Sequence, residues 1–126
     1  MPNASTRAAV LVVDDESLVR MFAVDVLEDE GCEVLEAASA SEALATLNRR
    51  PDIAFVFTDI NMPGAMDGID LAREIAKSKP GVQVVLTSGK QIPRADELPP
   101  ESPFVAKPYT AAQLVALLHK MVEGRL

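Results

Sequence analysis

Apolar residues along this chain fall into two alternating patterns. Residues 8–13, 33–37, 53–58, 82–86 and 104–106 form short runs rich in Val, Ile, Leu and Phe, the near-continuous apolar signature of strands buried on both faces. Between them, apolar residues recur at helical spacing. Val19, Phe22, Ala23, Val26 and Leu27 predict a helix over 17–30, with Gly31 as its C-terminal stop. Ala43, Leu44 and Leu47 predict one over 40–49, where Ser39 and Glu42 have the spacing of a capping box. Leu71, Ala72 and Ile75 predict a third over 68–77, stopped by Pro80 and Gly81, and Leu114, Leu117, Leu118 and Met121 a last one over 111–122. The stretch 90–103 breaks the rhythm. Pro93, Pro99, Pro100 and Pro103 leave room there for at most a turn or two of helix.

Strand and helix in steady alternation predict an α/β fold, with one parallel sheet covered by helices on both faces. With 126 residues, 48% hydrophobic and 25% charged, the chain fits a single domain spanning 1–126, its core at about 8–122. Trp is absent and aromatics total only 4%, so the core is aliphatic. A formal net charge of −7 argues against direct contact with nucleic acid or an anionic membrane. The paired Arg49 and Arg50 read as complements to a helix dipole. Cys32 is the lone cysteine, so neither an intrachain disulfide nor a cysteine-based zinc site is available. The N-terminal run is too short and too soon acidic for a signal peptide, and no apolar stretch is long enough to span a bilayer. A cytoplasmic protein is the expectation.

In doubly wound sheets, ligands bind beyond the carboxyl ends of the strands. The polar residues at those positions are Asp14 and Asp15 after the first strand, Asp59 after the third, Thr87 after the fourth and Lys107 after the fifth. Clustered carboxylates repel unless a hard cation joins them, and Mg²⁺ takes one or two carboxylates together with phosphate oxygens. A carboxylate can also act as a nucleophile and form an aspartyl phosphate, with Mg²⁺ and a lysine neutralising the transferring group. Each residue has an ordinary structural reading as well. Asp15 can be the N-cap of the first helix, Asp59 a turn residue before Met-Pro-Gly, Thr87 a strand-end residue, and Lys107 a solvated loop lysine. It is the coincidence of all five at one sheet edge that favours chemistry.

The segments "LVVDDE" (11–16), "FTDINMPG" (57–64), "VVLTSG" (84–89) and "FVAKPYT" (104–110) together resemble the receiver domain of two-component response regulators. The resemblance implies a flavodoxin-like doubly wound sheet of five parallel strands in the order 2-1-3-4-5. It implies Asp59 as phosphoacceptor, and Mg²⁺ (with Mn²⁺ able to substitute) held by Asp14, Asp15, Asp59 and the backbone carbonyl of Asn61. Lys107 then contacts the phosphoryl group through a segment whose Lys-Pro bond is usually cis, while Thr87 and Phe104 are switch residues. A core Phe is an equally good reading of Phe104.

The implied function is phosphoryl transfer from a histidine kinase or histidine phosphotransfer protein, switching a partner-binding surface. The protein would be no enzyme in the turnover sense, catalysing only its own phosphorylation and dephosphorylation. Two departures stand out. Ala65 in "MPGAMDG" looks like a one-residue loop insertion. The proline-rich 90–103 stands where the family has a full fourth helix, so the fourth helix is expected short or replaced by a loop.

Two rival readings are an interaction domain that works without phosphorylation and an aspartyl-phosphate phosphatase. The phosphatase would want a carboxylate two residues after its nucleophile, where this chain has Asn61. The outer side of the last helix, with Ala111, Val115 and Val122, is a candidate homodimer patch or a set of scattered surface residues. His119 reads as an exposed surface residue.

Overall fold

The computed structural model describes residues 8–89 and 103–123. In chain order they form β1 (Ala9–Val13), α1 (Ser17–Asp29), β2 (Glu33–Ala37), α2 (Ala40–Arg49), β3 (Ile53–Asp59), α3 (Gly68–Ser78), β4 (Gln83–Ser88), β5 (Phe104–Ala106) and α4 (Ala111–Glu123). The strands make one sheet in the order β2-β1-β3-β4-β5, and every pairing is parallel. This is the expected flavodoxin-like order. The question of a fourth helix within 90–102 lies outside the described residues, so the helix named α4 here is the last of the chain.

Alternation along the central strands divides the core in two. Leu11 and Val13 of β1 and Val56 of β3 point to one side, where Ala43, Leu47, Leu71, Ala72 and Ile75 of α2 and α3 cover them. Val10, Val12, Phe55 and Phe57 point to the other, beneath Ala23 and Leu27 of α1 and Leu114, Leu118 and Met121 of α4. Burial on both faces explains why these strands read as apolar runs without polar alternation. It also fixes the register of β3 against its neighbours, because a one-residue slip would exchange the two faces.

The helix ends are specified locally. Gly31 closes α1 at φ 90°: its amide bonds the Glu28 carbonyl at 2.9 Å and that of Cys32 bonds Leu27 at 3.2 Å, a Schellman motif. Ser39 accepts the Glu42 amide at the start of α2 as expected, but the Glu42 carboxylate takes the amide of Ala38, one residue before the cap. Two full capping boxes went unread in the sequence, Asp67 with Asp70 on α3 and Thr110 with Gln113 on α4. Arg50 follows α2 and spends its guanidinium on Glu33 and Asp52 at 3.0 and 2.7 Å rather than on the helix end.

The expected inner face of α1 needs correcting. Ala23 and Leu27 are buried, but Phe22 is 41% exposed, and Leu18 and Met21 beside it are open to solvent. The helix is rolled so that its amino-terminal half faces a surface cleft instead of the sheet. On α4, Leu117 is only partly buried, Val115 is half-buried, and Ala111, His119 and Val122 are exposed. Among the described residues, no helix is long and apolar enough to cross a membrane.

Candidate functional site

The carboxyl edge of the sheet gathers the residues picked out by their positions after strands. β1 delivers Asp14, buried, and Asp15, exposed; β3 ends on Asp59, only 4% exposed. One carboxylate oxygen from each lies within 4.8 Å of the others. Three hard oxygen donors at that spacing suit a small divalent cation such as Mg²⁺ and give no purchase to a softer metal that prefers sulfur or imidazole. Ala65, which the resemblance suggested is an extra residue, lies in the exposed turn beside Gly64, which has φ 102°.

Lys107, just after β5, closes the cluster. Its Nζ lies 2.8 Å from Asp14 Oδ2, 3.3 Å from Asp59 Oδ2 and 3.1 Å from Glu16 Oε1. The Lys107-Pro108 bond is cis, as the resemblance implied. Burial works to lower the Lys107 pKa, but hydrogen bonds to Asp14 and Glu16 outweigh it and hold the ammonium above its ordinary range. Asp59 shifts up, first because burial disfavours its charge and then because Asp14 repels it, against the opposing pull of Lys107. Nearby Tyr109 is pushed up to about 12 by burial and by Asp14.

The backbone around Asp59 is held from several sides. Its Oδ1 accepts the Asn61 amide at 3.3 Å, and the Asn61 side chain donates to Ser88 Oγ at 2.9 Å, tying the loop after β3 to the end of β4. The Ile60 amide bonds the Thr87 carbonyl at 2.8 Å, and the Gly68 amide bonds the Ile60 carbonyl at 2.8 Å. Gly68 has no alternative: a Cβ there would lie 2.0 Å from the Asp59 carbonyl oxygen and 2.8 Å from Ile60 Cα, both backbone atoms. The amino end of α3 is thus packed directly onto the strand end that carries Asp59.

Thr87 is buried and stands opposite Asp59 in the β3–β4 register. Phe104 is half-buried against the α2–α3 side of the core. Asp15 is not the N-cap of α1; that position is Glu16. The structure therefore brings Asp14, Asp15, Asp59 and Lys107 together with Thr87 alongside, while Phe104 sits a layer away.

A cleft of about 870 Å³ opens onto this cluster. Asp15, Glu16, Asp59, Asn61 and Lys107 make its polar floor, and Leu18, Val19, Phe22, Pro108 and Tyr109 its apolar wall. The Phe22 and Tyr109 rings lie 6.0 Å apart. The apolar wall escaped the sequence reading because Phe22 matches the helical period of a core residue. Leu18, 79% exposed, fell outside that period and was the available signal.

A five-stranded parallel α/β domain in the order 2-1-3-4-5, with an acidic, lysine-closed cleft at its carboxyl edge, has the architecture of a receiver-type signalling module. The model of the response regulator receiver domain matches residues 10–119, and the chain belongs to that family of two-component signalling proteins. It is 37% identical over 123 residues to the sensor kinase CckA of Brucella abortus (strain 2308), covering 94% of this chain and 13% of the kinase. It is 34% identical to the chemotaxis protein CheY of Thermotoga maritima, covering 89% of this chain and 95% of that protein. Among solved structures, a response regulator receiver protein from Sinorhizobium medicae WSM419 superimposes with a TM-score of 0.89 at 27% identity, covering 98% of this chain and all of that one. The relatives thus include proteins of which this chain spans a small part and proteins it matches nearly end to end.

Proposed function

We propose that the chain, acting as a single receiver domain, accepts a phosphoryl group on Asp59 from a phosphohistidine of a histidine kinase or phosphotransfer protein. The observation that carries this reading is the ammonium of Lys107 3.3 Å from a buried Asp59 carboxylate that also stands within 4.8 Å of two further carboxylates. A carboxylate oxygen of Asp59 forms the new P–O bond as the P–N bond of the donor breaks, and that bonding pair returns to the imidazole nitrogen. Asp14, Asp15, Asp59 and the Asn61 carbonyl would hold Mg²⁺, which when bound would supply neutralising charge to the phosphoryl oxygens. Lys107 contributes positive charge to the same group, and its contact with Asp14 keeps it aimed at the strand end. The backbone bonds of Ile60 and Gly68 hold the nucleophile still.

The donor reaches Asp59 through the cleft, and Leu18 and Phe22 on its wall, with exposed Met21 nearby on α1, offer the apolar surface against which a partner docks. On this reading Thr87, beside Asp59 in register, bonds the attached group, and Phe104 responds to it from the core. The response then passes to a partner surface, with self-association through α4 one form it can take. Turnover as a phosphatase is disfavoured because the residue two beyond Asp59 is Asn61, an amide already engaged with Ser88. The test is incubation with acetyl phosphate, with and without Mg²⁺, followed by intact-mass measurement. One phosphoryl adduct that requires Mg²⁺ and is absent in Asp59→Asn supports the reading; an equal adduct in that variant overturns it.

A further inference from the structure

Glu16 departs from a local rule that the other described helices keep. N-cap positions favour Ser, Thr, Asp or Asn, whose short side chains accept a first-turn amide, and Ser39, Asp67 and Thr110 do so for α2, α3 and α4. Glu16 occupies the N-cap of α1 and makes no side-chain cap bond. Its carboxylate instead crosses to Lys107 Nζ, 91 residues away in sequence, at 3.1 Å.

A lysine ammonium has three N–H donors and no acceptor. At Lys107 three carboxylates surround it, Asp14 at 2.8 Å, Glu16 at 3.1 Å and Asp59 at 3.3 Å. With one donor for each, no donor is left for a phosphoryl oxygen. The Asp14 and Asp59 side chains are buried and anchored at strand ends, whereas that of Glu16 is 62% exposed. Glu16 is therefore the partner that water can most cheaply replace. It is also not needed to position the lysine, which the two aspartates already hold.

We propose that Glu16 is a placeholder on Lys107: its carboxylate occupies the ammonium proton that an incoming phosphoryl oxygen needs, and so restrains loading of Asp59. The inference rests on Asp59 being the acceptor. No covalent bond changes in the exchange; Nζ gives up a hydrogen bond to Glu16 Oε1 and makes one to the phosphoryl oxygen, while the freed carboxylate turns into water. Glu16 acts only through its contact with Lys107 and is not a catalytic residue.

Three variants separate contact from charge. Glu16→Asp keeps the charge but is one methylene shorter and is drawn to the vacant helix cap; Glu16→Ser caps without charge; Glu16→Gln keeps the reach without charge. The probe is beryllium trifluoride anion, a phosphoryl mimic that adds reversibly to a carboxylate oxygen, titrated in Mg²⁺ alongside acetyl phosphate loading rates. Glu16→Asp and Glu16→Ser should bind it roughly three- to tenfold more tightly than wild type, the worth of one net hydrogen bond, and load faster. Glu16→Gln should fall between. A raised melting temperature in the Asp and Ser variants reports that the cap has formed and the fold is intact. If Glu16→Asp matches wild type while Glu16→Gln gains, the effect is one of charge at a distance and the placeholder is overturned. It is equally overturned if no variant exceeds a wild type that does bind the probe. A wild type that binds no probe and takes no phosphoryl group overturns the reading of Asp59 itself, and the placeholder with it.

Discussion

Replacing Asp59 with Asn should make the protein more stable, because the fold buries this carboxylate at a net electrostatic cost. At an effective dielectric of about 20, the attraction to Lys107 at 3.3 Å amounts to about 5 kcal/mol. Repulsion from Asp14 within 4.8 Å opposes it by about 3.5 kcal/mol, and exposed Asp15, in a more water-like medium, by about 1 kcal/mol. These nearly cancel. What remains is desolvation, several kcal/mol for a fully buried ion and less for one at the floor of an open cleft. Asn has the same shape and keeps an oxygen for the Asn61 amide, so Asp59→Asn should gain about 1–3 kcal/mol at pH 7. The pH dependence has a definite sign. The folded-state pKa lies above the unfolded value, so the contribution of Asp59 to stability is fully present below the unfolded pKa and is lost as pH rises through the folded one. The advantage of the variant should therefore be largest at neutral pH and shrink as pH falls toward about 4. Urea melts of both proteins without Mg²⁺, from pH 4 to 8, measure this. A variant less stable than wild type at pH 7, or a difference that does not change with pH, would mean that the Lys107 contact outweighs desolvation and that the reasoning is wrong.

Other substitutions probe other parts of the account. Gly68→Ala should destabilise by about 3 kcal/mol or more, because backbone of Asp59 and Ile60 blocks the new Cβ and the α3 junction must move; denaturant melts measure this, and acetyl phosphate loading should slow as well. Leu18→Ala should leave stability within about 0.5 kcal/mol, the side chain being so exposed. It should slow transfer from a cognate kinase while leaving loading from acetyl phosphate unchanged, since only the protein donor uses the apolar rim. Mg²⁺ at about a hundred times its dissociation constant should raise wild-type stability by about 2.7 kcal/mol. Asp15→Asn should abolish most of that increment in the same thermal melt.

The central strands were legible because burial on both faces demands unbroken apolar runs, from Val10 to Val13 and from Phe55 to Phe57, whereas the edge strands β2 and β5 are only partly buried. Parallel order then places strand-end residues on one edge, which is why Asp14, Asp59 and Lys107 could be grouped from sequence although 93 residues separate the first from the last. Distances could not. Nothing local reveals that Lys107 is shared among three carboxylates, or that Glu16, read merely as the residue after two aspartates, reaches it. Phe22 was misplaced because a helical period shows which residues share a face but not how far that face is rolled away from the sheet. The capping pairs Asp67 with Asp70 and Thr110 with Gln113 carry a local spacing signal and were readable in principle. Gly68 was different: its necessity comes from the approach of α3 to the backbone of β3, a tertiary fact.

On the proposed reading, one carboxylate, that of Asp59, takes the phosphoryl group. Loading the protein from a phosphorylated histidine kinase in Mg²⁺, reducing it at once with borohydride and sequencing the peptides by mass spectrometry tests this directly. An acyl phosphate is reduced to the alcohol, so homoserine is expected at position 59 and at no other aspartate. Homoserine at position 14 or 15 instead, or unreduced Asp59 in a chain that carries the phosphoryl mass, would contradict it.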